Sequence, residues 1–167
     1  MNRKPLNIVL APNALKGSLT ATQAAAAMAH GIARIDPALR LVAVPVADGG
    51  DGLTEILITA LHGQTRHATV TGPDGVPVRA TFCHVPDRRL AVIEMAAAAG
   101  LALLPPARRN PLITTTRGVG ELIRAALALE ISHLIIGIGG SATNDGGIGM
   151  AAALGAQFLD AAGAPVP

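Results

Sequence analysis

The stretch "LIIGIGGSATNDGGIGM", residues 134–150, decides how the rest of the chain is interpreted. Its apolar first half predicts a buried β-strand over residues 133–139. The glycines that follow predict a turn, and we expect a helix after Asp145 that ends near Leu154. Between the turn and the helix lies a dense polar cluster, Ser141, Thr143, Asn144 and Asp145. Three roles are open for this cluster: capping the helix, binding a nucleotide, or binding another substrate.

The N-terminal part of the chain shows the same alternation of strand and helix. LNIVLA (6–11) and LVAVPV (41–46) are apolar runs, typical of strands that are buried on both faces. A predicted helix over residues 20–35, capped by Ser18 or Thr20, follows the first run. LTEILITALHG (53–63) follows the second and predicts a helix closed by Gly63. This alternation predicts a parallel sheet.

The middle of the chain breaks this alternation. Residues 65–85 predict two strands around Asp74–Gly75, a strong hairpin signal, and residues 89–95 predict another strand. A helix over residues 118–130 and a last strand ending at Asp160 complete the pattern. We therefore predict an α/β fold, a Rossmann-like parallel sheet with helices on both faces plus a smaller β-rich inserted second domain. The predicted bounds are 1–63 and 106–167 for the partial Rossmann-like domain and 64–105 for the start of the inserted domain.

The composition excludes several function classes. The 167 residues are 50% hydrophobic and 14% charged, with a net charge of +2, two Phe and no Trp or Tyr. A nucleic-acid partner is not expected, because there is neither a basic stripe nor an aromatic platform. No run of 18 apolar residues occurs, so no membrane span is expected, and the N-terminal apolar run is predicted to be a strand, not a signal peptide. The single cysteine, Cys83, fits a cytoplasmic location.

The glycine turn also matches a dinucleotide-binding motif. Gly137–Ala142 fits the pattern G-x-G-x-x-G/A, and Asp160 lies about 20 residues further on, where an acid binds the ribose of NAD(P). Two features count against it. The motif lies late in the chain, and Thr143–Gly147 delays the helix whose first turn would bind the pyrophosphate. An NAD(P)-binding protein is therefore the alternative interpretation.

Polar residues follow three of the predicted strands. Lys16 and Ser18 come after the first, Asp48–Gly52 after the second, and Ser141–Gly147 after the strand at 133–139. In an open α/β sheet, ligands bind outside the carboxyl ends of the strands. A lysine, carboxylates and glycine-rich backbone at that edge suit an anionic substrate and a metal-bound nucleotide.

Five collinear segments carry a family resemblance: IVLAPNALKGSLTA (8–21), VPVADGGDGLTE (44–55), VTGPDGVPV (70–78), VIEMAAAAGLALLPPARRNPLITTTRGVGELIRAAL (92–127) and HLIIGIGGSATNDGGIGMAAALGAQFLD (133–160). With them the chain resembles the N-terminal part of bacterial glycerate kinases, which phosphorylate D-glycerate with ATP. The resemblance implies two α/β domains around a cleft, with ATP and Mg²⁺ as cofactors. It also implies a truncated chain with little or no kinase activity on its own. The choice between the 2- and the 3-hydroxyl is left open, and so is a homo-oligomer.

The resemblance also suggests roles for individual residues. Lys16 is a candidate contact for the glycerate carboxylate or an ATP phosphate. Asp48 and Asp145 are candidates for the general base and the Mg²⁺ contact, in an order that stays open. The other residues expected to bind substrate or nucleotide are Ser18, Gly49, Gly50, Asp51, Thr115, Thr116, Gly139, Gly140, Ser141, Thr143 and Asn144.

Some of these positions have a purely structural alternative or depart from the family pattern. Thr114, Thr115 and Thr116 precede a predicted helix, so a role as turn and cap residues is equally open. Family members often have Asp-Ser-Phe where this chain has residues 13–15, Asn-Ala-Leu. They often have Glu where this chain has Asp51, whose side chain is one methylene shorter. Glu94, at the end of an apolar strand, is expected to be either paired or functional.

Overall fold

The computed structural model describes residues 6–166, so the predictions that concern residues 1–5 and 167 lie outside the described part. The fold is α/β. The strands are β1 (Asn7–Leu10), β2 (Arg40–Ala43), β3 (Gln64–Thr71), β4 (Pro77–Val85), β5 (Leu90–Glu94) and β6 (His133–Gly137). The helices are α1 (Ala21–Ile35), α2 (Leu53–Leu61), α3 (Ala96–Ala99), α4 (Arg117–Leu127) and α5 (Ile148–Ala153). No helix in this range is both long and apolar enough to cross a membrane.

Strands β1 and β2 form a parallel two-stranded sheet, against which α1 packs. Thr20 begins the helix with a capping box: its hydroxyl accepts from the Gln23 backbone N–H, and the Gln23 side chain accepts from the Thr20 N–H. The cap is therefore Thr20, not Ser18. These two hydrogen bonds satisfy backbone N–H groups at the start of the helix that would otherwise lack a partner.

The prediction that β1 and β2 are buried on both faces is wrong for the described residues. Val9 and Val42 are partners in the ladder and share one face, and they are 61% and 40% exposed. Helix α1 covers one side of this small sheet, and no element between residues 6 and 166 covers these two valines. Strand β2 also ends earlier than predicted, at Ala43.

The second sheet is mixed and has the order β3-β4-β5-β6. Strands β3 and β4 form the predicted hairpin, with Thr71 opposite Pro77 and Gly75 in the turn at a φ of +85°. Strand β6 pairs with β5 in parallel, from Leu90↔His133 to Glu94↔Gly137. The sheet thus joins segment 64–105 to segment 106–167. A separate β-rich inserted domain is not shown, and the predicted domain bounds stay a prediction.

Helices cover both faces of the mixed sheet. On one face α3 and α4 pack over a core that includes Phe82, Ile93 and Leu122. On the other face α2 packs over a smaller core of Cys83, Val85, Leu90 and Val92. The Cys83 side chain is fully buried, and this burial raises the pKa of its thiol. The sheet is therefore held from both sides, with its strand ends free for a site.

Two local predictions are wrong. No strand ends at Asp160: its carboxylate accepts from the Ala162 and Ala164 N–H groups, which closes a turn through Gly163. Helix α2 is closed by His62, in the left-handed region at φ 52°, and not by Gly63. Gly63 packs instead against the Cys83 sulfur, where a Cβ would clash.

Candidate active site

The loop after β2 and the loop after β6 touch backbone to backbone. The Gly139 N–H donates to the Gly49 carbonyl over 3.0 Å. A Cβ on Gly139 would lie 2.5 Å from the Gly50 Cα, so a side chain at this position would push the loops apart. The two glycine runs of the sequence therefore have a shared structural cause, the close approach of loops 48–52 and 137–140.

A polar cavity opens beside this contact. We call it the polar cavity, and it is lined by Asn13, Ala14, Lys16, Asp48, Gly50, Asp51, Gly139 and Gly140. The structure thus brings together six of the residues predicted from sequence. One ammonium group and two carboxylates line it, and Lys16, Asp48 and Asp51 are all exposed. An Asp48 carboxylate oxygen accepts from the Gly50 N–H over 3.2 Å, which orients the side chain.

Asp145 lies outside the polar cavity, and its carboxylate is occupied by the protein itself. It accepts from the Thr116 N–H (2.8 Å) and hydroxyl (2.8 Å) and from the Gly147 (3.1 Å) and Gly149 (3.2 Å) N–H groups. Burial opposes the ionised form, but these hydrogen bonds together outweigh it and lower the pKa of Asp145. This carboxylate is therefore ionised, a poor proton acceptor, and well placed to join α4 to loop 143–149.

The three threonines before α4 are also used in hydrogen bonds within the protein. The Thr114 hydroxyl donates to the Ala142 carbonyl over 2.8 Å. The Thr115 hydroxyl accepts from the Arg117 N–H over 3.2 Å, and the Thr116 hydroxyl accepts from the Met150 N–H over 2.9 Å. Only the Thr115 contact is the local kind expected of a turn residue; Thr114 and Thr116 bond instead to the distant segment 142–150, and the Thr116 side chain does not cap α4.

The remaining predicted residues fall into two other places. Ser18 lines a neighbouring cleft that it shares with Lys16 and Asp51. Thr143 and Asn144 line a second cavity, which we call the apolar cavity; its other lining residues are Met95, Thr116, Val119, Ile136, Ile138, Asp145, Gly146, Gly147 and Met150. Ser141 lines neither of the two named cavities, and its hydroxyl accepts from the Thr143 N–H over 3.0 Å.

Glu94 is a residue whose role the sequence left undecided. Its carboxylate accepts from the Gly52 N–H (3.3 Å) and from the Thr54 N–H (2.6 Å). A side chain at the end of β5 therefore caps α2 and anchors the loop that carries Asp51. The signal was a carboxylate at the end of an apolar strand, but only the packing of α2 on this sheet identifies its partners.

Asn13 was not predicted as a site residue, although the structure places it in the polar cavity. Its side chain accepts from the Ala14 N–H over 2.7 Å. The signal was available in the sequence, because Asn13 lies in the loop after the first strand, at a position where family members often have an acid.

The structure does not support a dinucleotide site at Gly137–Ala142. Helix α5 begins only at Ile148, so its first turn does not lie within the glycine motif. Asp160, the predicted ribose contact, lies in a turn and not at the end of a strand. Both features that the NAD(P) interpretation requires are missing from the described part of the chain.

Magnesium fits the polar cavity better than a resident transition metal. Within residues 6–166 no group of three or more His, Cys, Asp or Glu side chains forms a metal site. Mg²⁺ is usually held by one or two carboxylates together with substrate phosphates. Asp48 and Asp51, which line one cavity, each carry a carboxylate of this kind.

Comparison with known proteins identifies the family of the chain. Residues 8–167 match the model of the Glycerate kinase family. The chain is 53% identical to a glycerate kinase of Bacillus subtilis (strain 168) and 52% identical to a glycerate 2-kinase of Escherichia coli (strain K12). The alignments cover 96% and 95% of this chain but 42% of each relative. A crystal structure from Salmonella typhimurium LT2, provisionally named glycerate kinase 2, is 49% identical with a TM-score of 0.78. It is matched over 98% of this chain and 44% of its own length. The chain thus spans about two fifths of the length of these relatives, and it belongs to the glycerate kinase family.

Proposed function

We propose that the protein containing this chain transfers the γ-phosphoryl group of ATP to a hydroxyl of D-glycerate and releases a phosphoglycerate. The observation that carries the proposal is the polar cavity, where Lys16, Asp48 and Asp51 meet the glycine loops at the carboxyl ends of the strands. Family membership and relatives named for glycerate phosphorylation support this substrate.

Within this proposal each charged group has a task. The Lys16 ammonium pairs with the glycerate carboxylate or with a phosphate. Asp48 accepts the proton of the attacking hydroxyl, because it is exposed and only one hydrogen bond from Gly50 orients it. The backbones of Gly49, Gly50, Gly139 and Gly140 allow phosphate oxygens to approach closely.

Asp51 is the residue that would hold Mg²⁺, together with substrate phosphates. When bound, the ion neutralises charge on the phosphate oxygens during transfer. We assign a positioning role to Asp145, because its four hydrogen bonds fix the loop that lies between the two cavities. Thr116 supports the same loop, whereas the Thr115 hydroxyl accepts from the Arg117 N–H at the start of α4. Ser18 borders the Lys16 side of the cavity and is proposed to bind substrate there.

We further propose that the 2-hydroxyl is the acceptor. The support is the name of the Escherichia coli relative, a glycerate 2-kinase with 52% identity. Phosphorus NMR of the product distinguishes 2-phosphoglycerate from 3-phosphoglycerate, and formation of the 3-isomer would contradict this assignment.

A coupled assay of ADP release tests the reaction itself. We expect the full-length protein to release ADP only when D-glycerate and Mg²⁺ are both present. Tight NAD(P) binding without ADP release would favour the dinucleotide alternative. A rise in melting temperature with glycerate or nucleotide, again without ADP, would indicate a binding module that does not catalyse.

The organisation of the full-length protein is part of the same proposal. The resemblance implies a cytoplasmic enzyme with a Rossmann-like domain and a smaller inserted domain. A crystal structure of the full-length protein tests this division into domains. Light scattering of the purified protein distinguishes a monomer from a homo-oligomer.

A further inference from the structure

We propose that the apolar cavity binds the adenine base of the nucleotide, with Asn144 as the residue that contacts the base edge. This inference rests on the proposed kinase function. It assigns the base and the acceptor acid to two different cavities, on either side of the loop between Ile138 and Asp145.

The lining of the apolar cavity suits a flat, uncharged ring. Its apolar wall is formed by Met95, Val119, Ile136, Ile138 and Met150. None of the described residues that line this cavity is aromatic, so a base bound there would pack against aliphatic and thioether groups. Methionine sulfur makes favourable contacts with aromatic rings, and two of the four methionines of the chain line this one cavity.

The position of the apolar cavity relative to the polar cavity suits a nucleotide. Both lie at the carboxyl end of β6, where Ile138 lines the apolar cavity and the next residues, Gly139 and Gly140, line the polar cavity. A nucleotide with its base in the apolar cavity would thus have glycine backbone next to its phosphates. The polar cavity, with Lys16, Asp48 and Asp51, would not bury an uncharged base well.

Asn144 provides the polar contact that gives a base site its selectivity. It is exposed, it lines the apolar cavity, and its amide makes no hydrogen bond to another residue within the described range. A carboxamide has a donor and an acceptor side by side, and this pair matches the N6 amino group and a ring nitrogen of adenine. Neighbouring Asp145 differs, because its carboxylate is already fully engaged.

The test compares two probes on the full-length protein, Mg²⁺–ADP and Mg²⁺–tripolyphosphate, which has the phosphates but no base. We expect Asn144→Ala to weaken ADP binding about tenfold, the scale of one or two hydrogen bonds, and to leave tripolyphosphate binding within about twofold. Ile138→Ala, at a position that is 75% exposed and not part of a core, should also weaken only ADP. Asn110→Ala is the matched control, since this residue lies outside both cavities in a turn where it accepts from the Leu112 N–H.

Each outcome is decisive for the proposal. Unchanged ADP binding in both variants would place the base elsewhere and overturn it, and so would an equal loss for ADP and tripolyphosphate. Either result would leave the proposed reaction standing, provided that ADP is still released with glycerate. If the unmodified protein binds neither probe and releases no ADP, the proposed function itself fails.

Discussion

Two aspartates of the same loop-rich edge have opposite environments. Asp48 is exposed in the polar cavity with one hydrogen bond, whereas Asp145 receives four and lies outside it. The sequence placed both aspartates after strands and could not distinguish their roles, because each is followed by two glycines. Two of the four hydrogen bonds to Asp145 come from Thr116, which a distant segment supplies, and this long-range contact could not be predicted from the sequence.

Asp48→Asn should lower turnover of the full-length enzyme at least about 100-fold, the scale of a lost general base or charge contact. The melting temperature should change little, because the side chain is exposed and an amide oxygen can still accept from Gly50. Steady-state kinetics with calorimetry measure both quantities. Asp36→Asn, an exposed turn residue outside the cavities, is the control. Near-normal turnover of the Asp48 variant would remove it from the chemistry.

Asp145→Asn should instead destabilise the fold by about 1–3 kcal/mol at pH 7, since charge-assisted hydrogen bonds are lost. The pKa of Asp145 is lowered in the folded state, so its contribution is present above the unfolded pKa near 4 and is lost as pH falls through the lower folded value. Urea unfolding at pH 7 and pH 3 should therefore show a smaller difference between variant and parent at pH 3. A difference that is independent of pH would contradict this origin.

At the scale of elements, the sequence predicted the features that neighbouring residues determine better than it predicted which distant strands pair. A helix cap at Ser18 or Thr20, the hairpin at Asp74–Gly75 and a helix over residues 118–130 follow from neighbouring residues. The structure shows the cap at Thr20, the hairpin, and the helix as α4 (Arg117–Leu127). The assignment of β6 to the sheet of β3, β4 and β5 does not, because an apolar run carries no information about its neighbour in a sheet. The contact of Glu94 with the start of α2 could not be predicted either, because it also depends on how distant elements pack.

Glu94→Gln should destabilise the protein by about 1–2 kcal/mol. The variant loses one of two acceptors and the charge that favours the positive end of α2. Because Gly52 follows Asp51, we also expect a raised KM for a substrate bound in the polar cavity. Thermal unfolding and kinetics test both effects. Glu130→Gln, at an exposed position outside α2, is the control, and equal effects of the two changes would show that the cap is unimportant.

At the scale of the molecule, residues 6–166 expose a large amount of apolar surface. Val9 and Val42 on the small sheet, Ile135 and Ile138 on the edge strand β6 and its loop, and Leu112 before α4 are 40–89% exposed. Apolar faces and free edges of this kind associate with other surfaces. The overall class of fold and six of the eight residues that line the polar cavity were predictable from sequence. The extent of apolar exposure was not, because it depends on which faces of the sheets the helices leave uncovered.

Residues 1–167 expressed alone should therefore self-associate and show little or no kinase activity. An open cavity with exposed Lys16, Asp48 and Asp51 does not exclude water or hold two substrates in line. Light scattering and ADP release, measured beside the full-length protein, test this. A monomeric polypeptide with a rate near that of the full-length protein would show that the described residues suffice.

The bond from the Gly139 N–H to the Gly49 carbonyl has a practical consequence for observing the site in motion. This amide proton is shielded from exchange with deuterated solvent only while the two glycine loops remain together. Its exchange rate therefore measures how often the polar cavity opens by loop separation, independently of global unfolding. If substrates lock the loops, glycerate and ATP should slow exchange at Gly139 while the amides of the β3–β4 hairpin keep their rates.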